Sequence, residues 1–159
     1  MPHIHELIDY TADVLIVHQN RVLLRHHDKY DLWLCVGGHI ELDEDPVQAA
    51  VREVLEEVGL AIEIYGQKGP VLQEPTTTEE HRTLPPPQFM ERHQTKGGHE
   101  HIALVYFASS QSGEVRPAEG EPAADCRWFS KEELESYGHP DLLPSIRRYA
   151  LAALVAFTG

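Results

Sequence analysis

No stretch constrains this chain more than Val36 to Leu60, which reads VGGHIELDEDPVQAAVREVLEEVGL. Paired glycines lead into an acidic turn and then into a helix. Asp45 suits the N-cap, and Pro46 suits the first helical position, where a missing N–H costs nothing. Gln48 stands where a capping-box partner belongs, and Gly59 is placed to end the helix in a left-handed conformation. Val47, Val51, Val54, Leu55 and Val58 predict one apolar face at a 3.6-residue period. Glu53, Glu56 and Glu57 then fall elsewhere on the cylinder as close neighbours, and like charges at that spacing destabilise a helix. Arg52 alone cannot neutralise three glutamates, and Glu41, Asp43, Glu44 and Asp45 add negative charge just upstream. A hard divalent cation with oxygen ligands would relieve the repulsion. The plainer reading is a solvated acidic helix face.

The 159 residues fit one domain, residues 1–159, with length enough for a proper core. A formal charge of −13 opposes nonspecific binding to nucleic acid or an acidic membrane by simple repulsion. A small phosphorylated substrate stays compatible once metal ions screen the encounter. Cys35 and Cys126 give neither a disulfide framework nor zinc spacing, which fits a reducing compartment. No apolar run approaches membrane-spanning length, and MPHIHELIDY lacks the basic start of a secretion signal. The expectation is a cytoplasmic protein.

Tyr10 to Val17 and Arg21 to Arg25 are short apolar runs across a polar turn, which predicts a β-hairpin. Leu32 to Val36 reads as a strand running into the glycines, where a missing Cβ lets backbone approach a ligand closely. Ala61 to Tyr65 alternates as a strand, with Val71 and Leu72 as a continuation. Glu74 to Gly98, with its triple proline Pro85–Pro87, reads as a long irregular connection, either a substrate flap or a surface excursion. His101 to Ala108 is apolar enough for a central strand. Ser109 to Ala124 reads as loop, and Asp125 to Phe129 as a further strand. Ser130 with Glu133 forms a second capping box. A last helix from Pro144 or Ser145 to Phe157 presents Ile146, Tyr149, Ala150, Ala153 and Leu154 as a docking face. This order suits an α/β fold, an α/β/α sandwich around a central mixed sheet.

Gly38, five residues, Glu44, seven residues, Arg52-Glu53-Val54, one residue, Glu56-Glu57, one residue and Gly59-Leu60 reproduce a Nudix box without a gap. The box covers 23 of the 159 positions, and the late WF–KEEL segment is similar to the family as well. The chain thus resembles a Nudix hydrolase. The one departure is Val36, where the family commonly has proline. The resemblance implies the sandwich fold and hydrolysis of a pyrophosphate bond in a nucleoside diphosphate-linked molecule, with water attacking phosphorus. It implies Mg²⁺ as cofactor, with Mn²⁺ as a substitute, held by Glu56 and Glu57 and aided by Glu53 and a carbonyl of the glycine pair, Gly37 or Gly38. Glu53 is a ligand or the general base. Arg52 orients a glutamate, and Glu44 pairs with it from the preceding loop. Gly38, Glu44 and Gly59 support the box.

Some family members supply another carboxylate from a loop before the WF-type strand. Glu119 and Glu121 occupy that region, and Glu121 is the candidate, against an ordinary solvent role for either. His39, directly after the glycines, is placed to meet a substrate phosphate or base. Phe89 is a second candidate for substrate contact, with Trp33, Tyr106 and Phe107 as stacking residues or simply core. His99-Glu100-His101 puts two imidazoles on one strand face, but no third ligand accompanies them at diagnostic spacing, and His3-x-His5 is weaker. The substrate stays open among nucleoside triphosphates, ADP-ribose and similar compounds. Pro75, fifteen positions beyond Leu60, stands where some ADP-ribose-cleaving members of the family it resembles place a proline. The partners expected are a small nucleotide and, as an open possibility, a second copy in a homodimer. The rival readings are a noncatalytic nucleotide-binding or sensing module and an isoprenoid diphosphate isomerase, which the complete box and the core-like setting of Cys35 disfavour.

Overall fold

β1 (Ile8–His18) is the strand on which the sheet is built. Its alternation sends Ala12, Val14 and Ile16 into one apolar layer and Leu15 and Val17 into the other. A strand buried on both faces should pair in parallel, and β7 (Glu100–Ser110) does so, from Ile8 opposite Glu100 to Val17 opposite Ser109. β2 (Arg21–His27) folds back antiparallel through Gln19 and Asn20, both at positive φ as a primed hairpin turn requires. The computed structural model describes residues 7–66, 81–121 and 125–158. Within them β3 (Leu32–Leu34), β4 (Val36–His39), α1 (Pro46–Val58), β5 (Ile62–Ile64), β6 (Phe89–Gln94), β8 (Cys126–Phe129), α2 (Lys131–Ser136) and α3 (Pro144–Ala156) complete the order. The sheet runs β3-β2-β1-β7-β5, with β4 also on β1, β6 on β7 and β8 on β2.

The expected mixed sheet between helical layers is what forms. α1 covers the face of Val14, Ile16, Leu23 and Tyr106. α3 covers the face of Leu15, Leu24, Val105 and Phe107, and its buried residues are the five expected from the spacing. Both capping boxes close, at Asp45 with Gln48 and at Ser130 with Glu133.

Three expectations change. The segment read as irregular from Glu74 to Gly98 contains β6, paired antiparallel to β7 from Phe89 opposite Val105 to Gln94 opposite Glu100. Its alternation is Phe89, Glu91 and His93 against Met90, Arg92 and Gln94, so polar residues mask the apolar period at a sheet edge. Residues 74–80, Val71 and Leu72 lie outside the described residues. The single strand expected over Leu32 to Val36 is split at Cys35, because β3 pairs with β2 whereas β4 pairs with β1. Finally, Val51 and Leu55 are 39% and 57% exposed. The buried arc of α1 is Val47, Ala49, Ala50, Glu53, Val54 and Val58. The helix is rolled toward its alanines, which brings Glu53 and Glu57 against the sheet.

Gly59 ends α1 at φ +67, with its N–H on the Leu55 carbonyl. A Cβ there would lie 1.9 Å from the Arg116 carbonyl oxygen, which is backbone and cannot yield cheaply. Gly59→Ala should therefore cost more than the ~1–2 kcal/mol of a left-handed alanine alone. Urea unfolding of the two chains checks this.

Candidate functional site

Pleating in β4 decides which groups meet α1. Val36 faces the helix layer, so Gly38 faces it too, while Gly37 and His39 face the opposite side of the sheet. A Cβ on Gly38 would lie 2.5 Å from the Glu53 carboxylate carbon. The glycine is thus the space in which the buried Glu53 sits.

Arg52 gathers the acidic groups. Its Nε and Nη2 donate to the two oxygens of Glu44 at 2.9 and 2.6 Å, a two-pronged contact. Nη1 donates to Glu53 Oε1 at 2.8 Å and to Glu56 Oε2 at 3.3 Å, and Nη2 also donates to the His39 carbonyl at 3.0 Å. One guanidinium therefore ties β4, the acidic loop and two turns of α1. The loop is fixed from its own side, where Glu44 Oε1 accepts the Glu41 N–H at 2.9 Å. Glu57 is held separately: Oε1 accepts from Arg25 Nη1 at 3.1 Å, and Oε2 accepts the Gly37 N–H at 3.1 Å.

These contacts set the charges. Arg52 holds the Glu44 carboxyl below its ordinary range. Burial raises Glu53, and Arg52 only partly opposes it. Burial also pushes Glu57 up to about 7, against Arg25 and the Gly37 N–H, with the charges of Glu53 and Glu121 adding to the rise. The side chains grade outward from Glu53, 10% exposed, through Glu57, 16%, to Glu56, 44%. Three carboxylates on successive turns of one helix, offering only oxygen ligands and graded toward solvent, fit a hard divalent ion.

The loop after β7 is laced to the helix, with the Arg116 N–H on the Val58 carbonyl and the Ala118 N–H on the Glu56 carbonyl, both at 2.8 Å. That lacing carries Glu121 close enough for its charge to act on Glu57. The structure therefore brings together Gly38, Glu44, Arg52, Glu53, Glu56, Glu57 and Glu121, with Gly59 closing the helix behind them.

The two residues expected to contact substrate lie on the other face of the sheet. Phe89 stacks on Tyr149 with ring centroids 4.6 Å apart and packs near Phe107, which commits its ring to the layer under α3. His39 gives its carbonyl to Arg52, but its ring turns away to Asp9 and His101. Two residues at the glycines escaped the sequence reading. Arg25 shares the pleat parity of Leu23, and an arginine on the helix-facing side of an apolar strand was the available signal. Asp13, beside Gly37, breaks the apolar run of β1, and burial pushes its carboxyl up to about 7.

Comparison with known proteins identifies the family and the fold. A NUDIX domain model matches residues 7–154. The crystal structure of a NUDIX-family hydrolase from Clostridium perfringens is 33% identical, with a TM-score of 0.81 over 92% of this chain and 96% of that one. A MutT NUDIX hydrolase from Burkholderia pseudomallei is 25% identical, with a TM-score of 0.62 over 96% of this chain and all of that one (100%). Dihydroneopterin triphosphate diphosphatase of Haemophilus influenzae is 46% identical over 57 residues, 35% of this chain, and the match spans only about a third (33%) of that relative's length. With a family model covering nearly the whole chain and the box carboxylates assembled on α1, the chain belongs to the NUDIX hydrolase family.

Proposed function

We propose that this chain is a Mg²⁺-dependent pyrophosphohydrolase of small nucleotide-like substrates, with Mn²⁺ able to substitute. The observation that carries the reading is the convergence of Glu53, Glu56 and Glu57 beside Gly38, held by Arg52 and Arg25. Glu56 and Glu57 hold the ion, with the Gly38 carbonyl as a backbone ligand and Glu53 as either a third carboxylate ligand or the proton acceptor. When bound, the ion supplies positive charge against the phosphate oxygens and acidifies water.

A water oxygen forms the new bond to phosphorus, and the bridging P–O bond breaks with its electron pair leaving on the departing phosphate. The water proton goes to a carboxylate. Little other covalent work falls to the protein in such a transfer, so positioning dominates. Arg52 supplies positioning by clamping Glu53 and Glu56 at fixed distances, and Glu44 keeps Arg52 aimed. Glu121 is proposed as the further carboxylate at the site, since its charge reaches Glu57. The substrate class is a nucleoside triphosphate, ADP-ribose or a related anhydride. The pterin triphosphate named for the Haemophilus relative places triphosphates first in a screen. The small substrate, the net charge of −13 and a cytoplasmic setting belong to the same reading.

Phosphate release with Mg²⁺ across nucleoside triphosphates, dihydroneopterin triphosphate, ADP-ribose and diadenosine polyphosphates tests the proposal. Release from no member of that panel by folded, metal-supplied protein would leave a binding module instead. Glu57→Gln should weaken Mg²⁺ binding, read by calorimetry, and lower turnover by at least a hundredfold; unchanged metal affinity would misplace the ion. Glu121→Gln should depress kcat at least tenfold with unchanged thermal stability, and normal turnover would remove it from the reaction. Glu44→Gln addresses the support. A carboxyl held below its ordinary value of 4.5 stabilises the fold above that pH and loses the contribution as pH falls through its lowered value. The variant should lose on the order of 2 kcal/mol near neutrality. It should also lose less stability than the parent chain as the pH falls from 5 through the lowered Glu44 value, measured by urea unfolding at each pH.

A further inference from the structure

On the sheet face turned away from α1, four adjacent strands bring their polar residues into one row. His39 at the end of β4 lies opposite Thr11 of β1, Asp9 of β1 lies opposite His101 of β7, and His101 lies opposite His93 of β6. Asp9 is 1% exposed. Its Oδ2 lies 3.4 Å from His39 Nε2 and 2.9 Å from Nε2 of the buried His99. The His101 ring stands 4.9 Å from that of His39 and 5.4 Å from those of His93 and His99. One ligand atom from each of Asp9, His39 and His101 can be chosen so that all lie within 4.8 Å of one another.

We propose that Asp9, His39 and His101 form a transition-metal site for a borderline divalent ion of the zinc type, separate from the box carboxylates. Two imidazoles and one carboxylate make a donor set suited to such an ion, whereas Mg²⁺ prefers oxygen alone. The spacing agrees. Ligands about 2.0–2.1 Å from a tetrahedral zinc stand roughly 3.3 Å apart, close to the separation of Asp9 and His39. The remaining separations lie within 4.8 Å, so the proposal requires the ligands to draw together on metal binding. His99, hydrogen-bonded to Asp9, fills the outer position that orients a ligating carboxylate. Among the described residues the set supplies three protein ligands, the number found in zinc centres that keep a fourth position for water or a substrate oxygen.

The site is also anchored where the ligands meet the fold. All three ligands belong to strands β1, β4 and β7, so sheet register sets their separation rather than loop conformation. Their sequence separations, 30 and 62 residues by their numbers, follow no compact metal motif.

Cobalt is the probe, because its visible absorption reports imidazole ligation and low coordination number directly. The full chain, freed of metal by chelation and held in millimolar Mg²⁺, is titrated with Co²⁺. One Co²⁺ per chain should bind with intense visible bands, and stoichiometric Zn²⁺ should displace it. His101→Ala and Asp9→Asn should each weaken binding at least tenfold, while Glu57→Gln leaves the cobalt spectrum unchanged even if it abolishes hydrolysis. That last arm separates failure here from failure of the proposed hydrolase site. X-ray absorption of the zinc-loaded parent chain gives a reading without any substitution, and two imidazoles per zinc are expected. Absence of stoichiometric cobalt binding, an imidazole-free zinc spectrum, or binding lost in Glu57→Gln and kept in His101→Ala would overturn the assignment. The row would then be a hydrogen-bonded histidine cluster without an ion.

Discussion

The contact on which the carboxylate site depends is the grip of Arg52 on its neighbours. Neighbouring carboxylates on one helix repel, and burying them against a sheet raises the cost further. Arg52 meets that cost by donating at once to Glu44, Glu53, Glu56 and the His39 carbonyl. Because the guanidinium is flat and its donors are fixed in direction, it also sets angles among the groups it joins. Glu57 escapes this grip and is instead paired across the interface to Arg25 of β2 and to the Gly37 N–H. Charge is thus balanced from two directions, one within the helix and its loop and one from the sheet.

The sheet organises chemistry on both of its faces. Facing α1, the small residues Gly38, Ala49 and Ala50 let helix and strand approach until Glu53 is enclosed. Facing α3, β1 carries Asp9, Thr11 and Asp13 before its apolar residues Leu15 and Val17 begin, so one half of that face is polar and the other half is core. β6 extends the polar half with Glu91 and His93, which sit together, and Tyr149 of α3 donates to Glu91 at 2.7 Å. This hydrogen bond joins the polar half to the helix that roofs the apolar half.

Much of this was legible in the residues themselves. Asp45, Pro46, Gln48 and Gly59 announce the limits of α1 because each has one local job, and local jobs leave local signals. The same holds for Ser130 with Glu133 and for the apolar stripe of α3. The roll of α1 was not legible, since Val51 and Leu55 are as apolar as the residues that are buried; only the fit of Glu53 beneath Gly38 decides which arc turns inward. β6 was hidden because an edge strand carrying Arg92, His93 and Gln94 has little apolar period to read. Arg25 and Asp9 were missed for a related reason. Each acts through a partner distant in sequence, and pairing across a sheet is settled by register, which single residues do not display.

The alternation of β4 ties the two faces together. Successive residues Gly38 and His39 serve opposite sides of one four-residue strand, and the carbonyl of the second is itself held by Arg52. A change of strand length cannot then adjust either side alone at this point. An insertion or deletion of one residue would exchange what each side receives, presenting an imidazole to the enclosed glutamate and a bare glycine to Asp9. Change in this region must come through substitutions in the surrounding strands and loops, with the length of β4 held constant.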